Sequence, residues 1–196
     1  HVRQLDAVAS RLLAGLGDVD SAAPSLSLWD LSRRANQSPA VTAIFDAGPV
    51  DLNLRLRAVS EEAEVAGLPA RFDEFLTQFG DRGPNEWDTA FDTWETKPDL
   101  ALVLVDRMRG ANVAHEPAQA GRRLAAEAAT CEAECLSRLR GPVRILFRRA
   151  VRSARLHSWG RERAKTTVVR AIHGTRLRSM ELDRRLAIRS GGTTGD

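Results

Sequence analysis

A chain of 196 residues, 43% hydrophobic and 28% charged, has the size and composition of a soluble globular domain able to bury a core. Its longest uninterrupted apolar run, Leu100 to Val105, is far short of the roughly 20 residues a membrane helix requires. No basic-then-apolar leader opens the chain either, so the expected compartment is the cytoplasm. The net charge of +3 hides an asymmetry. Residues 138–196 hold 16 Arg/Lys against 4 Asp/Glu, a net of +12, and the remainder holds 13 against 22, a net of −9. Such a split fits a nucleic-acid surface, or two segments that pair with each other.

The predicted elements are all helical. Residues 1–16 place Val2, Leu5, Val8, Leu12, Leu13 and Leu16 at helical spacing without a cap, as in a fragment that starts inside a helix. Ser27 is expected to cap a short helix bearing Leu28, Trp29 and Leu31. Ser38-Pro39 opens another that stops near Gly48, with proline in its tolerated first-turn position. Further helices are expected from about 49 to 59, and through Phe72, Phe75, Leu76 and Phe79 to a C-terminal Gly80. Pro98 restarts helix through Met108, and residues 117–140 follow. Cys131 and Cys135 lie on the apolar stripe Ala120, Leu124, Ala128, Cys131, Cys135, Leu139, where they read as buried small hydrophobes. A C-x₃-C pair without a second ligand pair is no zinc signature, and no metal site is expected.

Residues 142–158 form the next predicted helix, with Val143, Leu146, Phe147, Ala150, Val151 and Ala154 inward. The last, 165–189, has Val168, Ile172, Thr175, Ser179, Leu182 and Leu186 at three-four spacing. The fold expected is all-α, a multi-helix bundle-like arrangement over 1–189, with 190–196 as a flexible tail.

Two segments stand apart from this pattern. "FGDRGPNEWDTAFDTWETKP", residues 79–98, is a connection of unusual length with two tryptophans and seven charges. Connections usually run to about 4–6 residues, and long ordered ones tend to be functional. Gly80 and Gly83-Pro84 are turn formers, and Trp87 and Trp94 are candidate anchors. "WGRERAKTTVVRAIHGTR", residues 159–176, reads as a break before the last helix. It gathers Arg161, Arg163 and Lys165 at a helix start, where outward N–H groups and cations together suit a phosphate or carboxylate. The acidic loop, through Glu86, Asp88 and Glu95, is the alternative counter-charge, and the result would be a salt-bridged clasp.

Together these segments resemble the central region of phosphoenolpyruvate-utilising enzymes, and within them the phosphoenolpyruvate-synthase-like and rifampicin-phosphotransferase-like phosphotransferases. The resemblance rests on Phe79, Gly80, Arg82, Gly83, Pro84, Glu86, Asp88 and Trp94 in the loop. It continues through Gly160, Arg161, Glu162, Arg163, Lys165, Thr166, Ile172, His173 and Arg176. Three positions depart from the family pattern: Asp81 replaces histidine, Ala164 threonine and Gly174 glutamate.

The resemblance implies a division of labour. An ATP-grasp domain takes a phosphoryl group from ATP, a swivelling domain carries it on histidine, and a central helical domain binds the acceptor. This chain matches only the central part, so those two flanking domains are its expected partners, with an unidentified small-molecule acceptor. ATP and Mg are expected only in the flanking domains. None of His1, His115, His157 or His173 lies in the small-residue-rich loop of a phosphohistidine carrier, so the chain alone is not expected to turn over. The residues expected to bind acceptor or a docking domain are Arg82, Asn85, Glu86, Asp88, Trp94, Arg161, Arg163, Lys165, Thr166 and His173; no catalytic residue is expected. Two other readings stay open. Arg144, Arg148, Arg152 and Arg155 form a helical stripe that, with Arg184, Arg185 and Arg189, could follow a phosphate backbone, although a solvated or internally paired face is the ordinary reading of such a stripe and neither nucleic acid nor a membrane is an expected partner. A partner-docking module using Trp29 and the N-terminal helix is the other.

Overall fold

The computed structural model describes residues 2–14, 22–59 and 67–190. Among these the regular elements are eight α-helices and one 3-10 turn, with no strand, so the fold is all-α. The helices are α1 (Val2–Leu12), α2 (Ala23–Ala35), α3 (Pro39–Asp46), α4 (Leu52–Ala58), α5 (Gly67–Phe79), α6 (Asp99–Arg109), α7 (Pro117–Arg138) and α8 (Gly141–Arg189). No helix of the described residues is long and apolar enough to cross a membrane.

Sequence alone gives one helical domain over 1–189 and a tail over 190–196. The contacts divide the chain into two compact units, His1–Asp30 with Gly110–Lys165, and Leu31–Arg109 with Thr166–Asp196. Residues 191–196 of the expected tail lie outside the described residues.

In the first unit Leu12, Cys131 and Val151 form a buried cluster, flanked by Val8, Cys135 and Phe147. Both cysteines are free thiols, and Cys131 is buried as its stripe predicts. Burial and the neighbouring Cys131 raise the Cys135 thiol above its ordinary value. Arg155 ties this unit together. Its Nε donates to the Leu12 carbonyl (3.2 Å), and Nη1 pairs with Glu132 on α7 (2.8 Å).

The second unit has a larger core, drawn from Val41 and Phe45 on α3, Leu52 and Leu56 on α4, Leu102 and Val105 on α6, and Val169 on α8. The aromatic run of α5 extends that core toward the loop: Phe75 lies 5.4 Å from Phe79 and 5.2 Å from Trp94. Helix ends are capped locally at α3 and from distant residues at α4 and α6. Ser38 accepts from the Val41 N–H at the start of α3, and Asp99 Oδ1 accepts from the Asn53 N–H at the start of α4 (2.9 Å). Arg33 donates to the Met108 and Arg109 carbonyls and Asn36 to that of Arg109, which satisfies the end of α6. Arg109 in turn pairs with Asp46 and lies over the Phe45 ring.

Four sequence expectations are redrawn. Ser27 is inside α2 rather than its cap, because the helix already begins at Ala23 with Pro24 in its first turn. Helix α4 begins at Leu52, because Asp51 has a φ of 52° and cannot continue a right-handed helix backwards. No break interrupts 159–164, and α8 runs unbroken from Gly141 to Arg189. Its inward face also differs from the expected stripe. Val143, Leu146, Val168, Leu182 and Leu186 are exposed, and over the second unit the buried positions are Thr166, Val169, His173 and Arg176. That face is mostly polar because its partners come from the loop.

Candidate functional site

The loop closes on itself before it meets anything else. The Trp94 N–H donates to the Arg82 carbonyl (2.8 Å) and the Glu95 N–H to that of Gly80 (2.9 Å), so its two ends lie side by side. Glycine at 80 and 83 serves this approach. A Cβ on Gly83 would sit 2.9 Å from the Asp92 carbonyl oxygen and 3.1 Å from the Thr93 Cα, and one on Gly80 would meet the Leu76 oxygen at 2.5 Å. Gly80 thus ends α5 by close packing, without the left-handed backbone expected of a C-terminal glycine. Further turns are fixed by side chains: Asp88 Oδ1 accepts from the Ala90 N–H, and Thr96 Oγ1 accepts from the Thr93 N–H (2.9 Å each). Trp94 is buried as an anchor, while Trp87, expected to share that role, is half exposed.

The loop is held against α8 by two linked clusters within the second unit. In one, Arg82, 6% exposed, donates through Nη1 to Glu86 (3.1 Å) and through Nη2 to Thr166 Oγ1 (3.0 Å). In the other, His173 sits between Glu95 and Arg176. Its Nε2 is 2.8 Å from Glu95 Oε2, and its Nδ1 is 3.2 Å from Arg176 Nη1 and 3.4 Å from Thr93 Oγ1. A guanidinium only donates, so Nδ1 accepts from Arg176, and the ring proton on Nε2 is donated to Glu95. Arg176, 1% exposed, reaches on through Nη2 to the Asp88 carbonyl (2.6 Å). Two buried guanidiniums are thereby matched by two carboxylates, Glu86 directly and Glu95 through the imidazole. Burial makes that matching obligatory.

The expected residues fall into two groups. Arg82, Asn85, Glu86, Asp88, Trp94, Thr166 and His173 belong to this second-unit assembly. Asn85 acts there through its carbonyl, which accepts from the Asp88 N–H (3.2 Å), and Asp88 through both its main chain and its carboxylate. Arg161, Arg163 and Lys165 belong to the first unit. Arg161 is exposed beside Glu162 (3.0 Å), and the Arg163 guanidinium lies 4.7 Å from the Trp159 ring centre. Because α8 is continuous there, these cations occupy a helix interior and present no helix-start amides, so the expected anion site at a helix N-terminus is not formed. Within the second unit the loop's partners lie further along α8, at Thr166, Arg170, His173 and Arg176.

Arg176, Thr93 and Arg170 were not among the expected binding residues. The signal for Arg176 was its three-four-three spacing with Thr166, Val169 and His173. Arg170 lies 3.9 Å from Asp81, one of the three departures from the family pattern, whose carboxylate is largely buried. At Gly174, another departure, an added side chain would enter open space. Among the described residues no group of three or more His, Cys, Asp and Glu is placed to hold a metal ion.

Compared with known proteins, residues 2–162 match the model of a family described as the rifampicin phosphotransferase fourth domain. The match takes in the whole loop and ends at Glu162, so Thr166, His173 and Arg176 lie beyond it. No curated protein and no solved structure matches the chain.

Proposed function

Because this chain belongs to the rifampicin phosphotransferase fourth-domain family, we propose that it is the central acceptor-binding domain of an ATP-to-histidine-to-acceptor phosphotransferase. In this reading the ATP-grasp and swivelling phosphohistidine domains are its partners, and the loop on α8 is the polar floor on which acceptor and carrier meet. The observation that carries it is the Glu95–His173–Arg176 chain. Its inner members are buried and mutually hydrogen-bonded, while the Glu95 side chain stays 52% exposed at the rim. A carboxylate held at a fixed angle by a buried imidazole is suited to orient an acceptor hydroxyl. Phosphoryl transfer depends mostly on such positioning and on charge neutralisation. Arg82 and Arg176 would act indirectly, by fixing the loop.

The test uses the polypeptide that carries the flanking domains, with rifampicin as the first acceptor, since the family is named for it. Acceptor-dependent ATP consumption and ATP-dependent labelling of the carrier histidine are measured side by side. Glu95→Gln keeps the shape and weakens the acceptor for a hydroxyl proton, and should lower the first by about tenfold or more while leaving the second intact. Equal loss of both, or of neither, would reduce the loop to a structural clasp.

A further inference from the structure

Away from the loop, the first unit holds a cavity of about 490 Å³ lined by Glu132, Arg148, Arg152, Arg155, Leu156 and Trp159. That volume lies within the roughly 300–1,000 Å³ of small-molecule sites. Arg148, Arg152, Arg155 and Trp159 recur at positions i, i+4, i+7 and i+11 of α8, so one helix face supplies a column of three cations and a ring. Glu132 comes from α7.

The three arginines are not equivalent. Arg155 is committed to Glu132 and to the Leu12 carbonyl. Arg148 and Arg152 line the same wall and, among the described residues, form no ion pair or side-chain hydrogen bond. Two like charges one turn apart disfavour each other, and Glu132 is already used. At the other end Leu156 is 60% and Trp159 42% exposed, although each lines the concave surface. The Trp159 ring is held by Arg163, which restricts its rotamer without closing the cavity. A patch with two spare cations at one end and an ordered indole at the other is complementary to a molecule divided in the same way.

We propose that this cavity binds a small aromatic or fused-ring molecule carrying a phosphate or carboxylate. The anion lies between Arg148 and Arg152, and the ring lies against Leu156 and Trp159. Guanidiniums recognise such oxyanions by paired N–H donors, and the indole supplies a flat apolar surface. The site does not depend on the loop or on the acceptor reading of it.

The probes are naphthyl phosphate, naphthoate, naphthol and inorganic phosphate, titrated calorimetrically into the whole chain. Naphthyl phosphate or naphthoate should bind saturably, and naphthol and inorganic phosphate at least about tenfold more weakly. Arg148→Ala with Arg152→Ala should weaken the anionic probe by about tenfold or more, and Trp159→Ala by a similar factor. Arg144→Ala, on the same helix but outside the lining, should change it by less than about twofold. All these side chains are exposed, so a thermal melt in parallel establishes that each variant is folded. Absence of saturable binding at millimolar probe, or equal weakening by Arg144→Ala, overturns the proposal. Tighter binding of a single-stranded oligonucleotide than of naphthyl phosphate also overturns it, and reassigns the column to a nucleic-acid backbone.

Discussion

Arg176 meets its carboxylate only at second hand, through the His173 imidazole, and its other arm goes to a main-chain carbonyl. Its Nη2 donates to Asp88 O and its Nη1 to His173, so it holds the middle of the loop and the imidazole at once. Lysine in its place offers a single ammonium on a flexible stem and cannot serve both sites in a fixed geometry. Arg176→Lys is therefore expected to cost about 1–3 kcal/mol in urea denaturation. Arg161→Lys, at an exposed position of the same helix, should stay within about 0.5 kcal/mol. Equal losses would mean that the guanidinium bonds to the loop contribute nothing. The sequence contained the spacing that links Thr166, Val169, His173 and Arg176. Polar side chains at helical spacing nevertheless read as a solvated face until a second surface able to satisfy them is known. Arg82 was legible because it sits in a loop whose composition already signalled a site.

At the scale of elements, the helices with chemical punctuation were the readable ones. Ser38-Pro39 opens α3, and the phenylalanines of α5 share the buried face, as their spacing requires. The expected break at 159–164 falls on Gly160 and a run of charges, and neither stops a helix by itself. Glycine costs about 1 kcal/mol in a helix interior, which flanking helix formers absorb. Gly160 and Gly83 therefore predict opposite outcomes. Nothing lies within 4 Å of a Cβ added at Gly160, so Gly160→Ala should raise stability by about 0.5–1 kcal/mol. At Gly83 the added Cβ meets backbone at 2.9 and 3.1 Å, so Gly83→Ala should lower it by about 1–3 kcal/mol. Thermal denaturation of the two variants beside the parent decides both signs. Val168, Leu182 and Leu186 of the apolar stripe expected on the second half of α8 are exposed for the same reason that Arg176 was missed: the loop selects the face it covers.

Across the whole molecule, the opposed charges of the two sequence segments are partly resolved internally. Arg170–Asp81 and Arg155–Glu132 each join the basic segment to the acidic remainder, and Arg176 reaches Glu95 through the His173 imidazole. Composition gave that asymmetry plainly but could not say which cations were taken, and Arg148 and Arg152 are left over. The seat of His173 also has a consequence for chemical reactivity. Both ring nitrogens are engaged and the residue is 6% exposed, whereas His115 and His157 are open to solvent. An electrophile such as diethylpyrocarbonate needs a free imidazole lone pair, so it should acylate His115 and His157 and spare His173. Peptide mass mapping reads all three in one experiment. Rapid labelling of His173 under native conditions would mean that the clasp is largely open in solution. Slow labelling that accelerates in sub-denaturing urea would make this one imidazole a clock for local opening of the loop.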